Sequence, residues 1–471
     1  MNSKDKKMLV FGIYLILILC MFCFHENWRD EVQAYLLCRD MNFLELLKNV
    51  HYEGHPFFYY IILYPFVKMG FSLKIVNIIS LIFMSLSAYL IIYKTKLKDI
   101  YKISIVFSYP FLYEYSIVGR SYALIVLLIT LLAILWEHKK DNAILIGLLI
   151  GLLINTHIFM GGFCLLLFIV FYIYQLLFNR KNNTKKENIN ILIGFIIICI
   201  FGILLILQFL PVVFHGISMS TNTNFGLSNI FRNFFIMFGC FRLNKYFIFM
   251  LIFLLCMISF VVMIYKENKR LLILLLLSQL LFTCISSYVF EALLSHNALL
   301  TILFVYFICI INYGKKSNFI LLVFFIFFIP NVLISCFDEI TLSYSAAESA
   351  YNYMKKNISK DSIITTVYDA HVSTIMGYSK DYKFYDYKAN RYYTYVVWDE
   401  KRENKNFNFE YIDKELNNNK DIYYIGILNN IYQYDQIIKK HYKLEKIYKT
   451  EEETIYNENY VIYKIKSIKE N

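Results

Sequence analysis

The sequence predicts a polytopic α-helical membrane domain joined to a C-terminal α/β soluble domain, on three observations. Hydrophobic residues make up 58% of its 471 positions and the mean hydropathy is +0.51, more apolar surface than a water-soluble core of this size conceals. Apolar runs of membrane-crossing length recur from Met8 to Cys336, where about 20 such residues suffice for one crossing. Beyond Cys336 the runs stop, and Phe337–Asn471 is rich in Lys, Asn, Asp and Tyr; about 135 residues is an ordinary domain size. The expected division is therefore 1–336 in the membrane and 337–471 outside it.

Taken in order, the Lys-rich start MNSKDKK precedes the apolar run Met8–Phe24. No small-x-small cleavage site follows, and Leu19 before Cys20 is too bulky for a lipoprotein site. The run is expected to stay as the first span, with its basic end in the cytoplasm. The polar loop 25–56 comes next, reading HENWRDEVQAYLLCRDMNFLELLKNVHYEGHP. Within it, Asp30 with Gln33 and Asn42 with Glu45 have capping-box spacing for two short helices. Pro56–Val67, about twelve apolar residues, is too short to cross and reads as interfacial.

Single spans are expected at Ile75–Tyr93, Ile191–Val213, Phe247–Tyr265 and Phe319–Cys336. Tyr101–Trp136, Asn142–Phe178 and Leu271–Tyr313, about 35–43 residues each, are too long for one crossing. Polar residues interrupt each of them (Glu114 with Arg120, Asn155 with His157, Glu291 with His296), so each reads as a helical hairpin. The total is about eleven spans. Lys94, Lys96, Lys98, Lys102, Lys139 and Lys140 then face the cytoplasm, together with Arg180–Lys186, Lys266–Arg270 and Lys315–Lys316, as the positive-inside bias requires. Loop 25–56, the hairpin turns, the loop His215–Lys245 and the C-terminal domain all fall on the extracytoplasmic side.

The net charge of +12 does not signal nucleic-acid binding, because the basic residues sit in short loops between spans rather than on one soluble face. Most cysteines lie inside apolar runs and the soluble domain has none. Cys38 and Cys240 are the two on polar segments, and small hydrophobes packed in helices is the favoured reading of the set. No Walker loop, dinucleotide-binding glycine fingerprint, paired CxxC or HExxH occurs, which removes the usual support for nucleotide and zinc-hydrolase chemistry.

Titratable groups beside a hydrocarbon region are costly and tend to mark function. Asp30 and Glu31 offer a carboxylate at the membrane surface, able to take a proton from an acceptor hydroxyl or amine; the plainer alternative for Asp30 is helix capping. Glu53 and His55 flank Gly54, which permits a tight bend, ahead of Pro56 at a first helical turn. They read either as an acid and an imidazole serving as metal ligands or phosphate contacts, or as a solvated acid and an interfacial imidazole. Arg120, in the turn GRSYA, lies between two apolar stretches and needs a partner. That partner is Glu114 in a salt bridge, or a phosphate or diphosphate gripped by the guanidinium fork. Asn155 and His157 are candidates to donate to the same anion. His296, with Glu291 and Asn297, supplies a last polar set, for the site or for helix packing.

The tail alternates helical and strand patterns. Helices are expected at Ser343–Asn357, Phe409–Asn417 and Ile431–His441, and strands at Ser362–Tyr368, Tyr392–Trp398, Asp421–Leu428 and Tyr460–Ile465. Such alternation predicts an α/β layer fold with some parallel strands. Asp369 and His371 follow a strand end, where a site could form.

Taken together, these residues resemble the GT-C superfamily of polytopic membrane glycosyltransferases, nearest to its protein-mannosyltransferase (family 39) and aminoarabinose-transferase types. The resemblance rests on Asp30-Glu31 in the first loop, on Gly54-His55-Pro56 leading into a short helix, on Glu114 with Gly119-Arg120-Ser121-Tyr122-Ala123, and on Asn155-Thr156-His157. It departs in two places: Pro56-Phe57 stands where the family has paired prolines, and Ser295 precedes His296 where a basic residue is expected. What it implies is a GT-C-like membrane fold with interfacial helices. A sugar would pass from a polyprenyl-phosphate donor, entering from the bilayer lipids, to a glycan, lipid or protein acceptor at the outer face, with inversion at the anomeric carbon. Asp30 and Glu31 would be catalytic, and Arg120, His55, Glu53, Glu114, Asn155, His157 and His296 would hold the donor and its phosphate. Some members use a divalent cation and others none, which the sequence leaves open. The alternative is a lipid or polysaccharide transporter lined by the same groups; it predicts charges at mid-span depth, whereas these gather near one face.

Overall fold

In this computed structural model the described residues are 2–215, 268–289, 294–310, 328–367, 369–398, 407–428 and 431–467, with isolated positions between 230 and 266. Contacts divide the chain into two compact units. One comprises Met1–Phe22, Gly54–Tyr59 and Asn77–Cys336; the other comprises Cys23–Glu53, Tyr60–Val76 and Phe337–Asn471. Most of the first polar loop thus packs with the C-terminal domain, a grouping that a cut at residue 336 does not convey.

The first unit is helical. Among the described residues, four helices are long and apolar enough to cross a membrane: Lys4–Phe24, Ile75–Lys94, Ile158–Leu177 and Lys185–Leu210. Such runs form helix because hydrocarbon offers the backbone no partner but itself. On the Lys185–His215 helix, Leu192, Ile193, Ile196, Ile200, Ile203 and Leu207 all face outward, as lipid favours and water does not. Its other side fits tightly against the Ala143–Ile154 helix. A Cβ added at Gly147 would come 2.6 Å from the Gly194 carbonyl oxygen, and one at Gly194 would come 2.5 Å from that of Ala143. Small residues that let two backbones approach this closely are how helices associate where no hydrophobic effect drives them.

Two of the expected polar interruptions coincide with breaks in helix. Pro110–Glu114 forms a π-helical turn and Tyr115–Ile117 a short helical piece ahead of the helix Tyr122–Leu135. Asn155–His157 separates Ala143–Ile154 from Ile158–Met160. The arm before the first break, Asp99–Val106, has only 8 residues, shorter than the expected span. Ser108 Oγ turns back to the Ile105 carbonyl at 2.6 Å, and Pro110 lacks the N–H a continuing helix needs. Helices Lys269–Val289 and Leu294–Ile310 flank the third interruption, but Glu291 lies outside the described residues. So do Cys240, the start of Phe319–Cys336, and almost all of Phe247–Tyr265 and His215–Lys245.

The second unit is built on a six-stranded sheet: β1 (Ile363–Thr366), β2 (Lys383–Asp386), β3 (Arg391–Tyr393), β4 (Ile422–Ile427), β5 (Tyr442–Lys449) and β6 (Tyr460–Ser467). Their order is β3-β2-β1-β4-β6-β5. β1 runs parallel to β2 and β4, and the other pairs are antiparallel. The parallel β1–β2 pair requires a crossover, supplied by the helix Asp369–Tyr378, which the sequence reading left out. β4, IYYIGI, is buried at every position, as a strand covered on both faces should be. β5, unanticipated, lies at an edge and turns Lys443, Glu445 and Lys446 toward solvent or its rim, a charge pattern that discourages further pairing. Ile363, Ile412, Ile422, Tyr424, Ile438 and Val461 fill one core.

The loop helices belong to this unit. Asn42 Oδ1 accepts from Glu45 N at 2.9 Å, and the Glu45 carboxylate accepts from Asn42 N at 3.0 Å, the expected capping box. The other helix, Arg29–Asp40, starts earlier than its spacing predicts: Trp28 is the cap residue, and Glu31 accepts from the Trp28 N–H at 3.2 Å. Asp30 is thereby relieved of a capping role. This helix lies on Asp369–Tyr378 so closely that a Cβ at Gly377 would be 2.6 Å from Val32 Cγ1. Arg39 donates to the carbonyls of Met376 at 2.8 Å and Ser379 at 3.2 Å, and Gln33 bonds both the N–H and the C=O of Val396.

Candidate functional site

The sequence-derived site residues fall into two groups, one in each unit. In the first unit, Gly54 adopts φ 69°, a conformation glycine takes without penalty, just before His55. Gln208 fixes the following backbone, donating to the His55 carbonyl and accepting from Phe57 N, both at 3.2 Å. The His55 ring lies 5.0 Å, centre to centre, from that of His157. His157 is 5.1 Å from Tyr122 and 6.0 Å from His296, and the Arg120 guanidinium stands 5.1 Å over the Tyr122 ring, within cation–π range. The structure therefore gathers Arg120, His157 and His296 around Tyr122, with His55 against His157. Tyr122 belongs to the same GRSYA turn as Arg120, and the sequence alone gives it no role.

Electrostatics suit an anion. Burial first, and then the nearby Arg120 charge, hold His55 down to about 3, so it stays a neutral imidazole beside a permanent cation. His157, fully buried, accepts from the Phe159 N–H at Nδ1, 3.3 Å away. That bond places the ring proton on Nε2. Among the described residues this buried Nε2–H has no hydrogen-bond partner, nor does His55 Nδ1. A buried donor left unsatisfied costs about 1–3 kcal/mol, which a ligand oxygen would recover.

Two other members serve the framework. Asn155 directs its amide group to the carbonyls of Gly151 at 2.9 Å and Phe201 at 3.0 Å, which engages both its hydrogens and leaves only its oxygen for a ligand. Glu114, buried in the π-helical turn, accepts from the Tyr109 hydroxyl at 2.5 Å.

In the second unit the two adjacent acids have different fates. Glu31 is fully buried and accepts from His25 Nε2 at 3.0 Å, while His25 Nδ1 donates to Glu339 at 2.9 Å. Burial pulls the His25 pKa down, but the charges and hydrogen bonds of Glu31 and Glu339 outweigh it and hold the imidazole up to about 10. Glu31 is thus held in a buried ion triad. Asp30 keeps 31% of its side chain exposed, 3.8 Å from Arg29 Nε. Glu53 accepts from Gln33 at 2.8 Å and braces the loop. Sequence reasoning named neither Glu339 nor Glu458, whose carboxylate meets Arg29; these partners are 314 and 429 residues away in the chain, with no local pattern to announce them.

Compared with known proteins, the chain matches no family model and no curated relative.

Proposed function

We propose that the protein is a membrane glycosyltransferase that takes a sugar from a polyprenyl-phosphate donor and passes it to an acceptor at the outer face of the membrane. The observation that carries the reading is the buried His157 Nε2–H, without a partner among the described residues, beside Arg120 and two further imidazoles in an otherwise apolar helical unit. Phosphate oxygens are acceptors that such a donor and a guanidinium both suit, and the prenyl tail would stay in lipid. The reading adopts about eleven spans, the N-terminus in the cytoplasm and the C-terminal domain outside.

In the reaction an acceptor O–H attacks the anomeric carbon, the bond from that carbon to the phosphate oxygen breaks, and polyprenyl phosphate leaves. Asp30, the exposed acid of its pair, takes the acceptor proton. Arg120, with His157 and His55, stabilises the charge growing on the leaving phosphate, which is commonly the largest electrostatic contribution. Among the described residues no three His, Cys, Asp or Glu side chains converge as cation ligands, and each step is assigned to side chains of this chain.

The test is to incubate the purified protein with a panel of prenyl-phosphate sugars and acceptors, and to analyse the products by mass. Asp30→Asn should abolish transfer while the protein remains folded, and Arg120→Ala should weaken donor binding at least tenfold, about 1.4 kcal/mol. Full transfer by a stable Asp30→Asn protein would sink the base assignment.

A further inference from the structure

The second unit carries an aromatic surface that the donor chemistry does not use. Tyr456 is 40% exposed, and one face of its ring is stacked on Trp28 at 3.9 Å between centres and 17° between planes. Trp28 is 5% exposed and so acts as a fixed backing. Tyr344, buried, packs against both rings, 4.9 Å from Tyr456 and 6.1 Å from Trp28. The turn that presents Tyr456 is pinned as well: Ile455 N donates to the Ser343 carbonyl at 2.9 Å, and Asn457 takes the left-handed φ of 55°. A tyrosine so placed cannot fold away, and it offers rigid contact area at little entropic cost.

Polar groups adjoin this surface. Arg29 sits 5.8 Å from the Trp28 ring centre, and its Nε is 3.8 Å from both Asp30 and Glu458. Arg29 and Asp30 keep 42% and 31% of their side chains exposed. A partly exposed tyrosine ring with a carboxylate and a guanidinium beside it matches a pyranose: the sugar's C–H face lies on the ring, and its hydroxyls donate to the carboxylate and accept from the guanidinium. A lipid tail or an apolar helix would gain nothing from Asp30 and Arg29.

We infer that the Tyr456–Trp28 stack, flanked by Asp30 and Arg29, is a saccharide-binding platform, and that the acceptor is a glycan. The acceptor assignment rests on the proposed transferase reading; the binding site does not.

The test therefore measures binding without donor. Full-length protein in detergent is titrated with hexasaccharides of glucose, of mannose and of N-acetylglucosamine, followed by tryptophan fluorescence and calorimetry. At least one should bind. Tyr456→Phe, which keeps the ring, should bind within about twofold of the parent protein, and Tyr456→Ala should lose tenfold or more. In the transfer assay Tyr456→Ala should raise the KM for the acceptor with kcat little changed. Absence of binding by all three saccharides, or equal binding by Tyr456→Ala, overturns the platform. Saccharide binding that depends on Tyr456 in a protein with no transferase activity upholds the platform and overturns the transferase reading instead.

Discussion

Two histidines in this chain, one in each unit, are held in opposite states. His25 is clamped between Glu31 and Glu339 and stays charged, held up to about 10. His55, in the other unit, sits where burial and Arg120 hold it down to about 3. Burial disfavours the imidazolium in both places, so the sign of the neighbours decides. The consequence reaches function. A histidine whose two nitrogens both meet carboxylates has nothing left for a ligand, whereas His157, with one nitrogen engaged and the other without a partner among the described residues, keeps a donor for the phosphate we propose.

The sharpest way to break the comparison is to delete the structural member. His25→Ala leaves Glu31 and Glu339 facing each other, buried and uncompensated. Removing one partner of a buried ionic set costs about 3–5 kcal/mol, so the purified variant should unfold at much lower denaturant or temperature than the parent. An unchanged unfolding midpoint would show that the triad is not the clamp its geometry describes.

The two histidines also predict opposite pH limbs. Unfolded histidine titrates near about 6.5, and folded His25 near about 10. The folded chain holds the extra proton in between, so the stability from His25 is complete below about pH 6.5, declines above it, and is gone once pH passes about 10. His55 runs the other way. With its folded pKa near 3, the unfolded chain takes the proton first as pH falls below about 6.5, and stability drops on the acid side down to about pH 3. Melting curves across that range should lose part of their alkaline slope in His25→Gln and part of their acid slope in His55→Gln. The same slope in parent and variant would refute the corresponding assignment.

Packing in the membrane unit sets an intermediate effect. Gly147 and Gly194 meet backbone to backbone, so Gly147→Val must separate two helices that also position Asn155 and Gln208. Overpacking of this kind costs about 1–3 kcal/mol, and loss of donor binding should accompany the lower melting point. A fully stable and active Gly147→Val would mean the helices can move apart without disturbing the histidine cluster.

How much of this was legible in the sequence follows from how local each signal is. The apolar runs, the Asn42–Glu45 capping box and strands β1, β4 and β6 are written in consecutive residues, and they were readable. His55, Arg120, His157 and His296 were readable too, because a titratable group beside an apolar run is conspicuous. β2, four residues of KFYD, and β5, whose Lys and Glu alternate along an edge, carry too little apolar pattern to stand out. The partners that distinguish Glu31 from Asp30 were hidden for a different reason. Glu339 and Glu458 reach the loop only through folding, across more than 300 residues of chain, and without them the two adjacent acids look alike.

The smallest stability effect is the most telling. His157 caps the turn Ile158–Met160 through Nδ1, and asparagine is a good cap. His157→Asn keeps an oxygen for the Phe159 N–H and removes the Nε2–H, at a cost limited to the lost volume, about 1–2 kcal/mol. Donor affinity, read by isothermal titration with a prenyl phosphate, should nevertheless fall about tenfold. If His157 were an ordinary core residue, stability and binding would decline together or neither would. A variant nearly as stable as the parent but poor at binding separates the ligand's histidine from the framework's, and one that binds as well as the parent assigns His157 to the framework beside His25.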